Sequence, residues 1–186
     1  MKKRIFSALV ALTMVLSFMP SAFADLAYHT VGTQANTDAY TLTNAYECAG
    51  LWTYIDDKDG DGELDTVVGL NVNLTEKNLG VAPESTHYAV YENMDFGDTS
   101  PKAVTLYAAA WAANKQLQVV AMDNGAEVVL ATVDIPNTPG NYTNYNPITV
   151  NLENEITGVH EVRIKWITGA SINLNSFKFI KETKPA

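Results

Sequence analysis

An acidic run between two predicted strands carries the oxygen ligands that a hard cation prefers. Five acidic side chains fall within nine residues, and without a counter-ion they would repel one another. Their spacing matches positions 1, 3, 5, 6 and 9 of an EF-type calcium loop, at Asp57, Asp59, Asp61, Gly62 and Asp65. Position 12, normally a bidentate glutamate, is Val68, so the loop is not a complete EF-hand. The run predicts a structural calcium site with ligands Asp57, Asp59, Asp61 and Asp65, and the alternative is a solvated acidic turn.

Two amides near the end of the chain suit a different chemistry, hydrogen bonding to hydroxyl-rich ligands. Strict alternation along the last strand places four side chains on one side, Ile172, Leu174, Ser176 and Lys178. It places four others on the opposite side, Asn173, Asn175, Phe177 and Phe179. The pattern predicts neutral amides beside two rings at the rim of a β-scaffold.

The elements that must position these groups are short β-strands. Turn signals separate ten segments of strand composition, at 39–47, 50–55, 66–74, 88–94, 103–112, 116–122, 127–135, 148–152, 159–167 and 171–180. Asp123-Asn124-Gly125 predicts a hairpin, because Asn-Gly tolerates positive φ. Trp166 and Phe177 alternate with polar residues and are predicted to lie in the core. Because no long segment has helical periodicity, the predicted fold class is all-β, an antiparallel, jelly-roll-like β-sandwich.

The N-terminus has the pattern of a cleaved export signal. Three basic residues, Lys2, Lys3 and Arg4, precede an apolar run over 5–19, and Ala22-Phe23-Ala24 supplies small residues for cleavage before Asp25. We therefore expect a secreted protein without residues 1–24. Residues 25–38 are polar and weakly patterned, which predicts an N-terminal extension or a loose first strand. The sandwich is expected over 39–181, followed by a tail over 182–186.

Charge and cysteine content exclude several classes of function. Residues 1–24 hold three of the 12 basic residues and none of the 21 acidic ones, so the remainder has a net charge of −12. A chain this acidic is not expected to bind nucleic acid, and no later stretch is apolar enough to span a membrane. Cys48 is the only cysteine, which predicts neither an internal disulfide nor a thiol active site.

A hydrolase is not predicted either. Glycosidases need two carboxylates that face one cleft, whereas the acidic cluster of this chain has calcium spacing. A serine hydrolase of the α/β type would carry a Gly-X-Ser-X-Gly elbow, and the sequence has none. The chain is therefore expected not to be an enzyme.

Five motifs follow one another along the second half of the chain: Tyr91-Glu-Asn-Met-Asp-Phe-Gly97, Leu130-Ala-Thr-Val-Asp-Ile-Pro136, Asn137-Thr-Pro-Gly-Asn-Tyr142, Thr157-Gly-Val-His160 and the Asn-X-Asn-X-Phe-X-Phe ending from Asn173. In this order they resemble the motifs of the family 6 carbohydrate-binding modules, which are secreted, galactose-binding-domain-like β-sandwiches. The resemblance covers about 88–180, and more weakly the residues back to Tyr40.

The resemblance implies a sugar site on the loops at one end of the sandwich. There Tyr142 would stack on a sugar ring and Asn173 would hydrogen-bond its hydroxyls. A second aromatic of the family falls on Val81 here, so Trp52 or Tyr54 would have to replace it. The acids of the family's structural calcium site fall on three uncharged residues, Thr41, Thr43 and Asn175.

The sequence thus predicts a secreted, non-catalytic module, a monomer that binds a polysaccharide or oligosaccharide by aromatic stacking and amide hydrogen bonds. The candidate sugar-binding residues are Tyr142, Asn173, Trp52 and Tyr54. The alternative is an extracellular surface or matrix protein whose sandwich mediates protein contact, with sugar binding lost. Tyr142 could also be a loop tyrosine that covers the core, and Asn173 could stitch a strand end.

Overall fold

The computed structural model describes residues 25–56, 66–67, 69–80, 87–141, 143–168 and 171–182. Within these ranges the chain forms thirteen β-strands and no α-helix. The strands are β1 (Asp25–Thr30), β2 (Thr43–Asn44), β3 (Gly50–Asp56), β4 (Thr66–Val67), β5 (Asn71–Asn73), β6 (Asn78–Gly80), β7 (Tyr88–Asp95), β8 (Ala103–Ala110), β9 (Lys115–Asp123), β10 (Ala126–Ile135), β11 (Asn146–Asn151), β12 (Val159–Trp166) and β13 (Ile172–Ile180). No helix among these residues is long and apolar enough to cross a membrane.

The strands form two antiparallel sheets. The first sheet has the order β1-β3-β7-β12-β9-β10, with β4 paired to β3. The second sheet has the order β11-β8-β13-β6-β5, with β2 paired to β13. The prediction of an all-β antiparallel sandwich is confirmed.

Alternating apolar residues of the two sheets form the core between them. Trp166 and Phe177 are fully buried, as predicted, and Tyr91 is buried among them. The polar atoms of the two largest core side chains are satisfied within the protein, because Trp166 Nε1 donates to the carbonyl of Ile172 at 3.2 Å and the Tyr91 hydroxyl donates to that of Ala45 at 2.7 Å. The core therefore contains large rings without leaving these donors unpaired.

The predicted hairpin joins β9 to β10. Asp123 pairs with Ala126, which leaves Asn124 and Gly125 as a two-residue turn. Both have positive φ, 49° and 83°, which is the combination that a type I′ turn requires. The hairpin prediction is confirmed.

The last strand differs from strict alternation because it contains a β-bulge. Leu174 pairs with Ala108 and Ser176 pairs with Tyr107, so Asn175 is an extra residue on β13. The bulge shifts the alternation by one residue, and both halves of the strand direct apolar side chains into the core, namely Ile172, Leu174, Phe177 and Phe179. The prediction that the two amides share a face with Phe177 and Phe179 is therefore wrong.

Segments before β7 also differ from their predicted extents. Residues 25–38 were predicted to form either an extension or a loose first strand. The first part of this segment is a strand, because β1 pairs with β3 along its whole length at the edge of the first sheet. The segment 39–47 is mostly turn, with only β2 in strand pairing. Strand β6 was not predicted, since three residues are too few to show a period.

Candidate functional site

Asn173 lies on the outer face of the second sheet and is almost fully buried, with 4% of its surface exposed. It forms a polar cluster with two neighbours. Asn78 on β6 donates to the Tyr145 hydroxyl at 2.5 Å, and the side chain of Asn173 hydrogen-bonds the same hydroxyl. Burial raises the pKa of Tyr145, while the bond from Asn78 acts in the opposite direction. We call these three residues the amide cluster.

Gly80 makes room for the amide cluster. A Cβ at this position would overlap Oδ1 of Asn173, so the backbone of β6 can approach the amide only as glycine. Leu79 pairs with Leu174, which places Gly80 and Asn78 on the same outer face as Asn173. The backbone of β6 thus packs directly against the amide cluster.

The loop before β11 ends at Tyr145 of the amide cluster. Thr138 fixes this loop to the end of β8, because its backbone N–H and its hydroxyl both donate to the carbonyl of Ala110, at 2.6 and 3.0 Å. Asn141 and Thr143 are exposed. Tyr142 itself lies outside the described residues, and the contact predicted between Tyr142 and a sugar stays a prediction.

The predicted calcium ligands lie outside the described residues as well. These are Asp57, Asp59, Asp61 and Asp65, and the same holds for Val81. Among the residues that the structure describes, no group of three or more His, Cys, Asp or Glu side chains could hold a metal ion. The calcium site therefore stays a prediction.

Trp52 lies on the outer face of the first sheet, between two other rings. It pairs with Tyr28 on β1 and with Tyr88 on β7. The Trp52 and Tyr88 rings are nearly parallel, with 9° between their planes and 6.0 Å between their centroids. The ring of Tyr28 lies over Gly50, where a Cβ would overlap it. We call Tyr28, Trp52 and Tyr88 the aromatic row.

The aromatic row is part of a line of side chains that crosses the whole sheet. Tyr88 pairs with Lys165 on β12, and Lys165 pairs with Gln118 on β9. Gln118 in turn pairs with Thr132 on β10, the opposite edge strand. The line therefore presents rings on three strands and polar side chains on the other three.

The structure does not bring all the predicted sugar-binding residues together. Trp52 and Tyr54 lie on β3 of the first sheet, whereas Asn173 lies on β13 of the second sheet. Tyr54 contacts the buried His87 edge-on, with 4.9 Å between the ring centroids. The aromatic row and the amide cluster are thus two separate candidate surfaces.

Residues 69–181 match the family described as "Carbohydrate binding module (family 6)". The chain belongs to this family. The matched range contains Tyr88 and the whole amide cluster, whereas Tyr28 and Trp52 precede it. The predicted resemblance is confirmed. Comparison with curated protein sequences gives no match.

Solved structures share the sandwich of this family 6 module. One is a family 6 module whose binding sub-sites were dissected by crystallography and calorimetry, with TM-score 0.57 and 20% identity over 80% of this chain and 100% of that chain. CsCBM6-3 from Clostridium stercorarium, in complex with cellobiose, has a TM-score of 0.58 and 18% identity over 80% of this chain and 98% of that chain. An arabinoxylan arabinofuranohydrolase of glycoside hydrolase family 43 from Bacillus subtilis, in complex with cellotetraose, has a TM-score of 0.57 and 17% identity over 80% of this chain and 28% of that chain. At these identities the likeness establishes the fold alone.

The basic side chains next to the aromatic row of the module are neutralised by acids. Arg163 lies 4.9 Å from the centroid of the Tyr88 ring and donates to Glu161 at 2.6 Å. Lys165 donates to Glu127 at 2.8 Å, and this bond is the main reason why the pKa of Glu127 is lowered. Because Arg163 and Lys165 are both paired with acids, neither is free to select an anionic ligand.

Sequence reasoning missed several residues of both surfaces. Tyr28 and Tyr88 belong to the aromatic row, and Asn78 belongs to the amide cluster. Alternation along β7 places Tyr88 on the outer face, and that signal was readable. Which strand would lie beside β3 depends on the sheet order, which no local pattern encodes.

Proposed function

We propose that this family 6 module is secreted and non-catalytic, and that it binds a neutral polysaccharide on the aromatic row. The observation that carries the proposal is the nearly parallel Trp52–Tyr88 pair, two half-buried rings on the outer face of the first sheet. The complex of a similar module with cellobiose and that of a similar enzyme with cellotetraose support a saccharide ligand.

The chemistry of the aromatic row suits a pyranose chain. A ring presents an apolar face to the C–H face of a sugar, and such stacking contributes on the order of 1 kcal/mol beyond simple burial. Tyr28, 43% exposed, extends this apolar surface toward the edge of the sheet. The polar side chains beyond Tyr88 supply hydrogen bonds to sugar hydroxyls.

Affinity electrophoresis in gels that contain soluble polysaccharides tests the proposal. Trp52→Ala and Tyr88→Ala should each lose most of the retardation that the parent shows, because each removes a stacking ring. Tyr107→Ala is the matched control, since Tyr107 is a half-buried tyrosine on the other sheet. Retardation of both variants equal to that of the parent would reject the aromatic row.

The same gels test the loop site predicted from the sequence. Tyr142→Ala and Asn173→Ala should abolish retardation if the ligand binds at the loop end instead. Unchanged migration of these two variants, with loss in Trp52→Ala, assigns binding to the aromatic row. A glycan screen without any hit, together with self-association at micromolar concentration, would support the protein-contact alternative.

Secretion and the absence of catalysis have direct tests. Mass spectrometry of the exported protein should give an N-terminus at Asp25, because the signal is expected to end at Ala24. Incubation with the retained polysaccharide should release no reducing ends. An intact N-terminus or release of sugars would contradict the corresponding part of the proposal.

We also propose that the acidic run binds calcium, on the spacing of Asp57, Asp59, Asp61 and Asp65 alone. A bound ion stabilises the folded state by mass action. Calcium should therefore raise the melting temperature more than magnesium does. Identical melting curves in calcium and in chelator would remove the site.

A further inference from the structure

A cavity of about 360 Å³ opens at one end of the aromatic row. Tyr28 belongs to both, so the cavity continues the ring surface. Five other residues that line the cavity have polar side chains, namely Thr30, Gln34, Thr37, Glu92 and Asn93. Residues 28–49, which contribute most of the wall, precede the range that matches the family. The cavity is therefore a feature of this chain that the family match does not assign.

The wall formed by residues 31–37 is held in place by hydrogen bonds. The side-chain amide of Gln34 acts like an additional strand residue beside β7, because its Nε2 donates to the Glu92 carbonyl at 2.6 Å and its Oε1 accepts from the Glu92 N–H at 2.7 Å. Val31 and Gly32 both donate to the Ala49 carbonyl at 2.9 Å, and Asp95 donates to that of Thr37 at 2.7 Å. The cavity is thus formed before any ligand binds.

A β-bulge directs the polar side chains of β7 toward this cavity. Tyr91 pairs with Val162 and Met94 pairs with His160, so Glu92 and Asn93 together oppose Glu161. Asn93 has a φ of 53°, the left-handed conformation that a bulge residue adopts. Both side chains are exposed and line the cavity. Bulges of this kind re-aim side chains next to binding sites.

The chemistry of the cavity suits a neutral sugar. The Glu92 carboxylate has no basic partner among the ion pairs of the described residues. A carboxylate accepts hydrogen bonds from two hydroxyls, the Asn93 amide donates and accepts, and the threonine hydroxyls do both. The Tyr28 ring supplies an apolar wall. A uronic acid or a sulfated sugar would meet an unpaired negative charge, and its binding is disfavoured.

We infer that this cavity is a terminal subsite that holds one neutral pyranose unit of a chain lying along the aromatic row. The inference rests on the proposed function and extends it to the size and charge class of the ligand. Glu92 follows Tyr88 by four residues of one strand, a distance of about 13 Å. A ligand that contacts both must therefore be an oligosaccharide rather than a monosaccharide.

Calorimetric titration with a length series of oligosaccharides, prepared from the retained polysaccharide, tests the subsite. Glu92→Gln keeps the backbone bonds to Gln34 and removes only the charge. It should bind the longest oligosaccharides roughly tenfold more weakly, because a hydrogen bond to a charged group is replaced by a weaker one to a neutral amide. It should bind the disaccharide as the parent does. Asn93→Gly, which retains the positive φ, should show the same length dependence.

Two controls separate the possible failures. Glu182→Gln removes an exposed charge elsewhere and should match the parent at every length. Tyr88→Ala should weaken all lengths, because it acts on the aromatic row itself. If the parent binds and Glu92→Gln equals it at every length, the subsite is rejected and the proposed function stands. If the parent binds no oligosaccharide, both are rejected.

Discussion

Gly80, which packs against the amide cluster, has its identity fixed directly by a neighbour. An added Cβ would overlap Oδ1 of Asn173, which is buried and bonded to Tyr145. We predict that Gly80→Ala displaces the Asn173 amide and destabilises the protein by about 1–3 kcal/mol, as overpacking does at well-packed sites. Urea unfolding of parent and variant measures the difference.

A double-mutant cycle checks the cause of this loss. Asn173→Ala alone should cost about 1 kcal/mol, because it removes a buried hydrogen bond. In the double variant the overlap no longer exists, so the combined cost should be clearly smaller than the sum of the single costs. Additive costs would mean that Gly80 is required for another reason, such as its backbone conformation.

Two hydrogen bonds hold the bulge residue Asn175 in place. Its side-chain amide donates to the Lys77 carbonyl at 2.8 Å, and its backbone carbonyl accepts from the Ala45 N–H at 2.8 Å. Deletion of Asn175 would leave a regular strand in which Leu174 and Ser176 still pair with the adjacent residues Ala108 and Tyr107, so the apolar side chains on both sides of the deletion would still face the core. We predict that the deletion variant folds but loses about 1–3 kcal/mol of stability in urea unfolding, because both hydrogen bonds made by Asn175 are lost.

The matched control for the deletion is Asn175→Ala. This substitution keeps the extra residue and removes the side-chain bond to Lys77, so it should fold with a loss of about 1 kcal/mol. A deletion variant that does not fold would contradict this prediction, because it would show that the second sheet needs the extra residue itself and not only its hydrogen bonds.

Local signals predicted the elements of the fold better than their pairing. The Asn124-Gly125 turn was readable because both positions need positive φ, which few residue pairs tolerate. The bulge at Asn175 was not, because it depends on bonds to Lys77 and Ala45, which are distant in sequence. An extra residue inside an otherwise regular pattern leaves the local composition unchanged.

The candidate site shows the same limit at the level of sheets. The sequence singled out Trp52 and Asn173, and the resemblance joined them to one loop end. The sheet order instead places Trp52 beside Tyr88, on the sheet opposite that of Asn173. Side-chain alternation predicts which residues face outward, whereas only the pairing of strands decides which outward residues become neighbours.

Over the described part of the chain, stability rests on the apolar core between the two sheets. Cys48 is a free, buried thiol, so no disulfide reinforces this core. Burial raises the pKa of Cys48 from its ordinary value of 9.0 to about 12, and burial raises the pKa of Tyr91 well above its usual range. Both groups are neutral when protonated, so the folded protein holds these protons more tightly than the unfolded chain does.

This linkage predicts a loss of stability in alkaline solution. Between pH 9 and pH 12 the unfolded chain releases the Cys48 proton while the folded protein keeps it, so the free energy of unfolding falls as pH rises through this window. At pH 10 the thiol should account for about 1 kcal/mol of the loss. Urea unfolding of the parent and of Cys48→Ala at pH 7.5 and pH 10 isolates this share, since the lost packing lowers the stability of the variant equally at both values. A fall of the same size in both proteins would show that the thiol ionises as easily in the folded state as in the unfolded chain.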